Sequence, residues 1–313
     1  MRRIALLLAP LLLATAALTG CGSSPAPQVT VTGAFGTRPS VSIPAQAAAG
    51  ALDVQTVIRG HGPKVASTDA LVGNYVVYIW RGTTHKLVQS TYQTVPALFA
   101  GRLLPGLQTA LRNQRLGSRV LAVIPPKDGY GAGGNPQAGV QPSDTLVFVI
   151  DLKKAYPANA TATGKPVSAG GHGQPTVVSG SPGSQPKITI PKGSPPKTVQ
   201  ATTLIQGTGP AITADQEVVV QYVGALWRTG KVFDSSWAHG NPFGFVLGVP
   251  PTKGGVIAGW NTGLMNQKVG SRILLTIPPK YGYGKKGYPE AGINGTDTLV
   301  FVVDILGSFS KGS

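Results

Sequence analysis

The chain writes one stretch of itself twice. Residues 117–151 and 270–304 align without a gap, each residue paired with one 153 positions later, and 22 of the 35 positions are identical. A match of that length is the mark of a duplication. Upstream it continues at an offset of 147. Ile43 and Pro44 fall on Ile190 and Pro191, GHGP at 60–63 falls on GTGP at 207–210, and Tyr75 falls on Tyr222. Whatever one copy folds into, the other must fold into as well, and 313 residues suffice for two domains with separate cores.

The remaining sequence differs in kind. Residues 155–187 are rich in Gly, Pro, Ser and Thr and contain no acidic residue, the composition of a flexible linker. Residues 22–42 read as a second tether. Before them, Arg2 and Arg3 precede an apolar run from Ile4 to Leu18, a signal-peptide pattern too short for a bilayer-spanning helix of about 20 residues. That run ends in LTGC at 18–21, which resembles the lipobox of bacterial lipoproteins, with Cys21 as the lipidated residue. Cys21 is the only cysteine in the chain, which excludes an intramolecular disulfide and any cysteine-based metal site. The expected plan is a signal peptide and lipobox at 1–21, a tether at 22–42, one domain at 43–154, the linker at 155–187 and a second domain at 188–309. The expected location is extracytoplasmic, lipid-anchored to the cell membrane.

A formal charge of +16 raises the question of nucleic acid. No run of Lys or Arg exceeds two residues, and no aromatic–basic interleaving of an RNA-binding sheet occurs, so attraction to anionic lipid or wall polymers is the better reading and no nucleic-acid partner is expected. His61, His85, His172 and His239 lie in unrelated segments, so no metal site and no cofactor are expected. Two G-x-G-x-x-G matches, at 129–134 and 282–287, each follow Pro-Pro and open no periodic helix, which removes the nucleotide-binding reading. Asp234-Ser235-Ser236 has no adjacent histidine in sequence to serve as the base of a serine nucleophile.

Within the second copy, EVVVQYVGALW at 217–227, RILLTI at 272–277 and DTLVFVVDIL at 297–306 carry the β-branched and aromatic residues of strands. One short helix is predicted where Ile257, Trp260 and Leu264 recur at i, i+3 and i+7. Gly259 and Gly263 lower its intrinsic stability. An antiparallel sheet folded across one short helix, an α+β arrangement, is the economical architecture. Trp227 and Phe245 read as core.

The segments VVVQYVGALWRTGKVFDSS (218–236), PFGFVLG (242–248), GGVIAGWNTGL (254–264), IPPKYGYG (277–284) and DTLVF (297–301) resemble, in order and spacing, the FKBP-type peptidyl-prolyl cis-trans isomerases. The resemblance covers residues 197–306. It implies two FKBP-like domains and a hydrophobic cup for a proline side chain, with Trp260 as floor and Tyr222, Phe233, Phe243, Val256, Ile257 and Phe301 as walls. At the rim it implies Tyr283 as a donor to a substrate carbonyl, the Ile257 N–H as another, Asp234 beside Tyr222, and Tyr288 and Ile293 as further substrate contacts. Tyr288 stands where the family often has histidine. The expected partners are Pro-containing exported polypeptides, the membrane through Cys21, and a macrolide inhibitor of the rapamycin kind. The alternative is a non-enzymatic chaperone or scaffold that binds apolar or Pro-containing segments.

The first copy departs from this pattern. Tyr75, Tyr130 and Phe148 keep the positions of Tyr222, Tyr283 and Phe301, but Phe233 becomes Val88, Asp234 becomes Gln89, Trp260 becomes Leu107 and Tyr281 becomes Asp128. The first copy is also eight residues shorter between Lys86 and Leu103 than the second is between Lys231 and Val256. The expectation is that this removes most of the counterpart of 243–248. The first domain is therefore expected to be degenerate, and activity is expected in the second.

Overall fold

A computed structural model describes residues 28–167, 171 and 173–312. The first domain opens with a hairpin, β1 (Thr30–Thr32) and β2 (Ser40–Ser42). It continues with β3 (Asp53–Ile58), β4 (Ala70–Arg81), β5 (Thr84–Ser90), β6 (Ala97–Phe99), α1 (Pro105–Leu111), β7 (Arg119–Ile124) and β8 (Thr145–Tyr156). The second follows the same plan. Short β9 (Lys165–Pro166) and the hairpin β10 (Thr176–Val178) and β11 (Lys187–Thr189) precede β12 (Gln200–Gln206), β13 (Glu217–Leu226), β14 (Val232–Ser235) and α2 (Ser236–His239). Then come β15 (Phe243–Val246), α3 (Ala258–Leu264), β16 (Arg272–Ile277) and β17 (Leu299–Phe309). The sheets run β3-β7-β8-β4-β5 with β6 on β4, and β9-β12-β16-β17-β13-β14 with β15 on β13. All the pairings are antiparallel.

Side chains alternate across a strand, and here both sets are apolar. Leu299, Phe301, Val303 and Ile305 of β17 enter one core with Trp260 and Leu264 of α3, while Val300 and Val302 point to the opposite face. A sheet that is apolar on both faces needs two covers. The helix supplies one. The glycines that weaken α3 as a helix let it lie close to the sheet, because a Cβ on Gly259 would come within 2.4 Å of the Ile277 side chain.

The other cover comes from the segments that the composition assigns to linkers together with the first residues of each expected domain. Val177, Ile188 and Ile190 pack on Val223, Trp227, Leu274, Val300 and Val302. In the first domain Val29, Val31, Val41 and Ile43 pack on Val76, Trp80, Leu121, Val147 and Val149 in the same manner. A buried ion pair anchors each hairpin. Arg119 binds Asp151 through two hydrogen bonds of 2.7 Å and also donates to the carbonyls of Gly33 and Thr37, while Gly36 N–H donates to Asp151. The repeat partner Arg272 binds Asp304 and Ser179 Oγ, and Ala162 N–H donates to Asp304. Ala155 and Tyr156 complete β8 of the first domain, the rest of the described part of 155–187 is laid along the second domain, and 28–42 along the first, where the sequence predicts free tethers. Cys21 and the lipobox lie outside the described residues.

The two domains touch. Val72, Leu98 and Tyr156 of the first form one apolar cluster with Val219, Leu306 and Phe309 of the second. Among the described residues no helix is long and apolar enough to cross a membrane.

Candidate active site

In the second domain β13, β14, β15, β17 and α3 converge on a cavity of about 280 Å3, open on one side. It is lined by Tyr222, Phe233, Asp234, Phe243, Pro251, Gly255, Val256, Ile257, Trp260, Tyr283 and Phe301. Trp260 is 4 % exposed and meets its neighbours edge to face, with ring centroids 5.2 Å from Tyr222, 5.3 Å from Phe301 and 5.4 Å from Phe245. Such edge contacts hold the rings at fixed angles, so the hollow keeps its shape without being filled. Among the described residues the buried Trp260 Nε1 has no hydrogen-bond partner, a cost that a residue serving only as packing has no reason to carry. Gly224 makes room for the wall, since a Cβ there would meet the rings of Phe233 and Phe301 at 2.7 Å. Phe245 and Trp227 are buried, as their strand positions suggest.

Two phenols and one carboxylate give the cup its polarity. The Tyr222 hydroxyl donates to Asp234 Oδ2 at 2.5 Å, and Asp234 Oδ1 accepts from Ser235 N–H at 2.8 Å and lies 2.8 Å from His239 Nε2. Burial pushes the Tyr222 phenol well above its ordinary pKa, and the Asp234 hydrogen bond and charge push it further. Burial likewise raises Tyr283, with the charge of Asp234 and then Tyr288 adding to it. Both phenols stay neutral at physiological pH and remain hydrogen-bond donors. Ile257 is the N-cap of α3, so its N–H precedes the helix's own hydrogen-bond ladder.

Nine of the eleven pocket residues expected from sequence line this cavity, and two do not. Tyr288 stands outside, its ring stacked on Tyr283 with centroids 5.3 Å apart and its hydroxyl donating to Glu290 at 3.2 Å. Ile293 is 2 % exposed, packs in the core and exchanges two backbone hydrogen bonds with Tyr288, so it roots the flap. Sequence reasoning missed Pro251 and Gly255. Both lie in the stretch without a counterpart in the first copy, and that gap was the available signal.

The sequence pattern of the family described as FKBP-type peptidyl-prolyl cis-trans isomerase matches residues 62–153 and again residues 209–306. The chain belongs to this family. It is 39% identical over 122 residues to an FK506-binding protein of Streptomyces anulatus, covering 39% of this chain and 95% of that one. It is 40% identical over 124 residues to a probable FK506-binding protein of Corynebacterium glutamicum, covering 39% and 97%. Among solved structures, FkpA from Escherichia coli is 38% identical, covering 37% of this chain and 54% of that chain, with a TM-score of 0.32.

The first FKBP domain keeps a hollow at the same place in the fold, about 530 Å3, lined among others by Tyr75, Val77, Val88, Gln89, Tyr130 and Phe148. Strand register corrects one expectation about it. In the second domain Val220, Val219 and Val218 pair with Phe243, Gly244 and Phe245. In the first, Gly73, Val72 and Leu71 pair with Ala97, Leu98 and Phe99. The wall strand is therefore present, with Ala97 in place of Phe243 and Phe99 in place of Phe245. What the shorter copy lacks is mostly the loop after that strand, the one that brings Pro251 and Gly255 to the cup. Its floor position, Leu107, is buried in the core, and Val77 occupies the place of Gly224.

Proposed function

We propose that this FKBP-type isomerase acts on Pro-containing exported polypeptides outside the cytoplasmic membrane, held there by a lipid on Cys21, with catalysis in the second domain. The observation that carries the assignment to the second domain is the rigid aromatic cup closed beneath by Trp260, which the first domain lacks. The X-Pro bond resists rotation with a barrier of about 18–20 kcal/mol because the planar amide is conjugated and dipolar, while its cis and trans ends differ by only about 0.5–1 kcal/mol. An apolar hollow disfavours the planar dipole relative to the twisted amide. Donors on the rim hold the flanking carbonyls while rotation proceeds. Tyr283 and the Ile257 N–H are those donors, and Tyr222 with Asp234 fixes one wall. An acceleration of about 10⁴ needs about 5.4 kcal/mol of preferential binding to the twisted form.

The direct test is proline isomerisation on a short Pro-peptide by the full chain and by its Trp260→Ala and Leu107→Ala variants. Loss with the first and retention with the second supports the assignment; the reverse pattern overturns it. Protection of that activity against a macrolide of the rapamycin kind would speak against the cup as its ligand site. For the anchor, Cys21→Ala should release the protein from membranes in high salt, where the basic surface is screened.

A second reading applies to the first domain. Its hollow keeps Tyr75, Tyr130 and Phe148 but no floor for a proline ring, which favours binding of extended chain segments without catalysis. Held on the same chain as the cup, such a segment would have a raised effective concentration for the second domain.

A further inference from the structure

The two hollows occupy the same place in the same fold, so each difference in their lining can be read as a difference in ligand. The second domain has two carboxylates at its cup and flap, Asp234 on β14 and Glu290 in the flap. At the corresponding positions of the first domain stand Gln89, which pairs with Val77 as Asp234 pairs with Gly224, and Gln137, one position before Ala138 as Glu290 is before Ala291. Both glutamines line the first domain's hollow. The cation is kept: Lys86, the counterpart of Lys231, also lines it. An adjoining hollow of about 300 Å3 shares Lys86, Val88 and Ala138 with the first and adds Arg81 and His85. Asp144, which pairs with the groove residue Arg81, is already engaged: its side chain has 0% exposure and accepts two hydrogen bonds of 2.7 Å from Arg81. Asp128, in the flap segment 126–128, is not among the lining residues.

The donors that remain are unusual for an apolar groove. Lys86, Gln89, Gln137 and the hydroxyls of Tyr75 and Tyr130 can all donate, and no carboxylate lines the groove to accept from them. Burial, with a smaller contribution from Tyr130, pushes the Tyr75 phenol up to about 12, so it stays a neutral donor where Tyr222 is committed to Asp234. Between these donors lie the apolar surfaces of Val77, Val88, Leu146 and Phe148, with Val88 40% exposed and Tyr130 39% exposed.

We propose that the first domain's groove is a docking site for extended polypeptide segments that carry acidic side chains beside apolar ones, with no requirement for proline. The proposal rests on the reading of the first domain as a binding module and adds the charge of what it binds. Its argument is complementarity. Loss of both acids with retention of the lysine removes the repulsion that the second domain's cup would offer a carboxylate, and leaves one cation and two amides lining the groove to meet an anionic side chain. A substrate region rich in acid and apolar residues would be held by the first domain while a nearby proline reaches the second.

The experiment uses the full chain and a fluorescent, Pro-free, eight-residue peptide of alternating glutamate and leucine, with glutamine–leucine and lysine–leucine versions as comparators, read by anisotropy. The acidic peptide should bind at least tenfold more tightly than the glutamine version. Lys86→Glu should weaken it about tenfold, since charge reversal removes one attraction and adds one repulsion of ordinary surface size. Gln89→Asp with Gln137→Glu should weaken it comparably. Both substitutions install residues the second domain carries at the same sites, so the fold accommodates them. Lys311→Glu, at the exposed C-terminal end, makes the same change in net charge and should have little effect. Equal weakening by Lys86→Glu and Lys311→Glu would reduce the binding to the net charge of the chain and overturn the proposal. Equal binding of the acidic and glutamine peptides, both weakened by Val88→Asp, would overturn the acid preference and leave the binding module standing. No binding of any of the three peptides would overturn both.

Discussion

The two domains share strand order, register, a buried Arg–Asp pair and a hairpin over the outer face of the sheet, yet apart from Tyr75, Tyr130 and Phe148 they differ at the residues that line the hollow. The scaffold is preserved because its residues face one another: an Arg119 without Asp151, or a sheet face without its hairpin, leaves a buried charge or bare apolar surface. The hollow can drift because its residues face solvent or a ligand. Duplication followed by loss therefore shows which residues the fold needs and which the chemistry needs. Trp260 falls in the second group despite being buried.

Removing the floor should give the largest effect. Trp260→Ala should destabilise the second domain by about 3–5 kcal/mol and abolish most isomerase activity, measured by denaturant unfolding and a Pro-peptide assay. Trp260→Phe should cost less stability than its lost area suggests, because the partnerless Nε1–H disappears with the indole. If Leu107→Ala costs the first domain as much while leaving activity intact, the floor is shown to be chemical in one copy and structural in the other.

Next in size is a charge that the first domain lacks. Ala70 stands where the second domain has Glu217, which is 8% exposed and lies with Leu98 of the first domain against Gly244. Burial pushes the Glu217 carboxyl up to about 7. A raised acid means that the native state holds its proton where the unfolded chain has released it. Stability should therefore fall as pH rises from about 4.5 to about 7 and level off above, by up to about 3 kcal/mol. Glu217→Gln should flatten that slope and raise the melting temperature at neutral pH. An unchanged pH profile would show the carboxyl to be solvated.

Rebuilding the first cup by Val88→Phe, Gln89→Asp and Leu107→Trp should fail. Val77 blocks the space that Gly224 leaves for Phe233, and no loop supplies the counterparts of Pro251 and Gly255. The triple variant should lose about 1–3 kcal/mol to overpacking without gaining activity. Adding Val77→Gly should recover part of that loss, and activity appearing in either variant would show the loop to be dispensable. The smallest effect is expected from Tyr283→Phe, which removes one neutral hydrogen bond of about 0.5–1.5 kcal/mol and should lower kcat/KM by up to about tenfold with the fold intact. Tyr130→Phe should leave it unchanged.

Much of this was legible in the chain itself. The repeat predicts two like domains, the strand patterns place β13, β16 and β17 to within a few residues, and nine of the eleven predicted pocket residues meet at one cavity. What escaped is nonlocal. Val29 and Val31, Val41 and Ile43, and Ile188 and Ile190 alternate as strand residues do, but each run is only two apolar residues long among Gly, Pro and Ser, too short to announce a hairpin. Each finds its reason only in a sheet face built from residues far along the chain.

The sequence by itself determined that there are two copies, which copy keeps the aromatic cup, and which charges each carries, because those are matters of residue identity at aligned positions. Tertiary structure alone decided that Ala97 stands opposite Gly73 where Phe243 stands opposite Val220. It also decided that Ile293 serves the core, that the Trp260 N–H is buried without a partner, and that the supposed linkers close the outer faces of both sheets. Each of these depends on strand register and on which surfaces remain uncovered once the strands have paired, and neither quantity exists before the chain has folded.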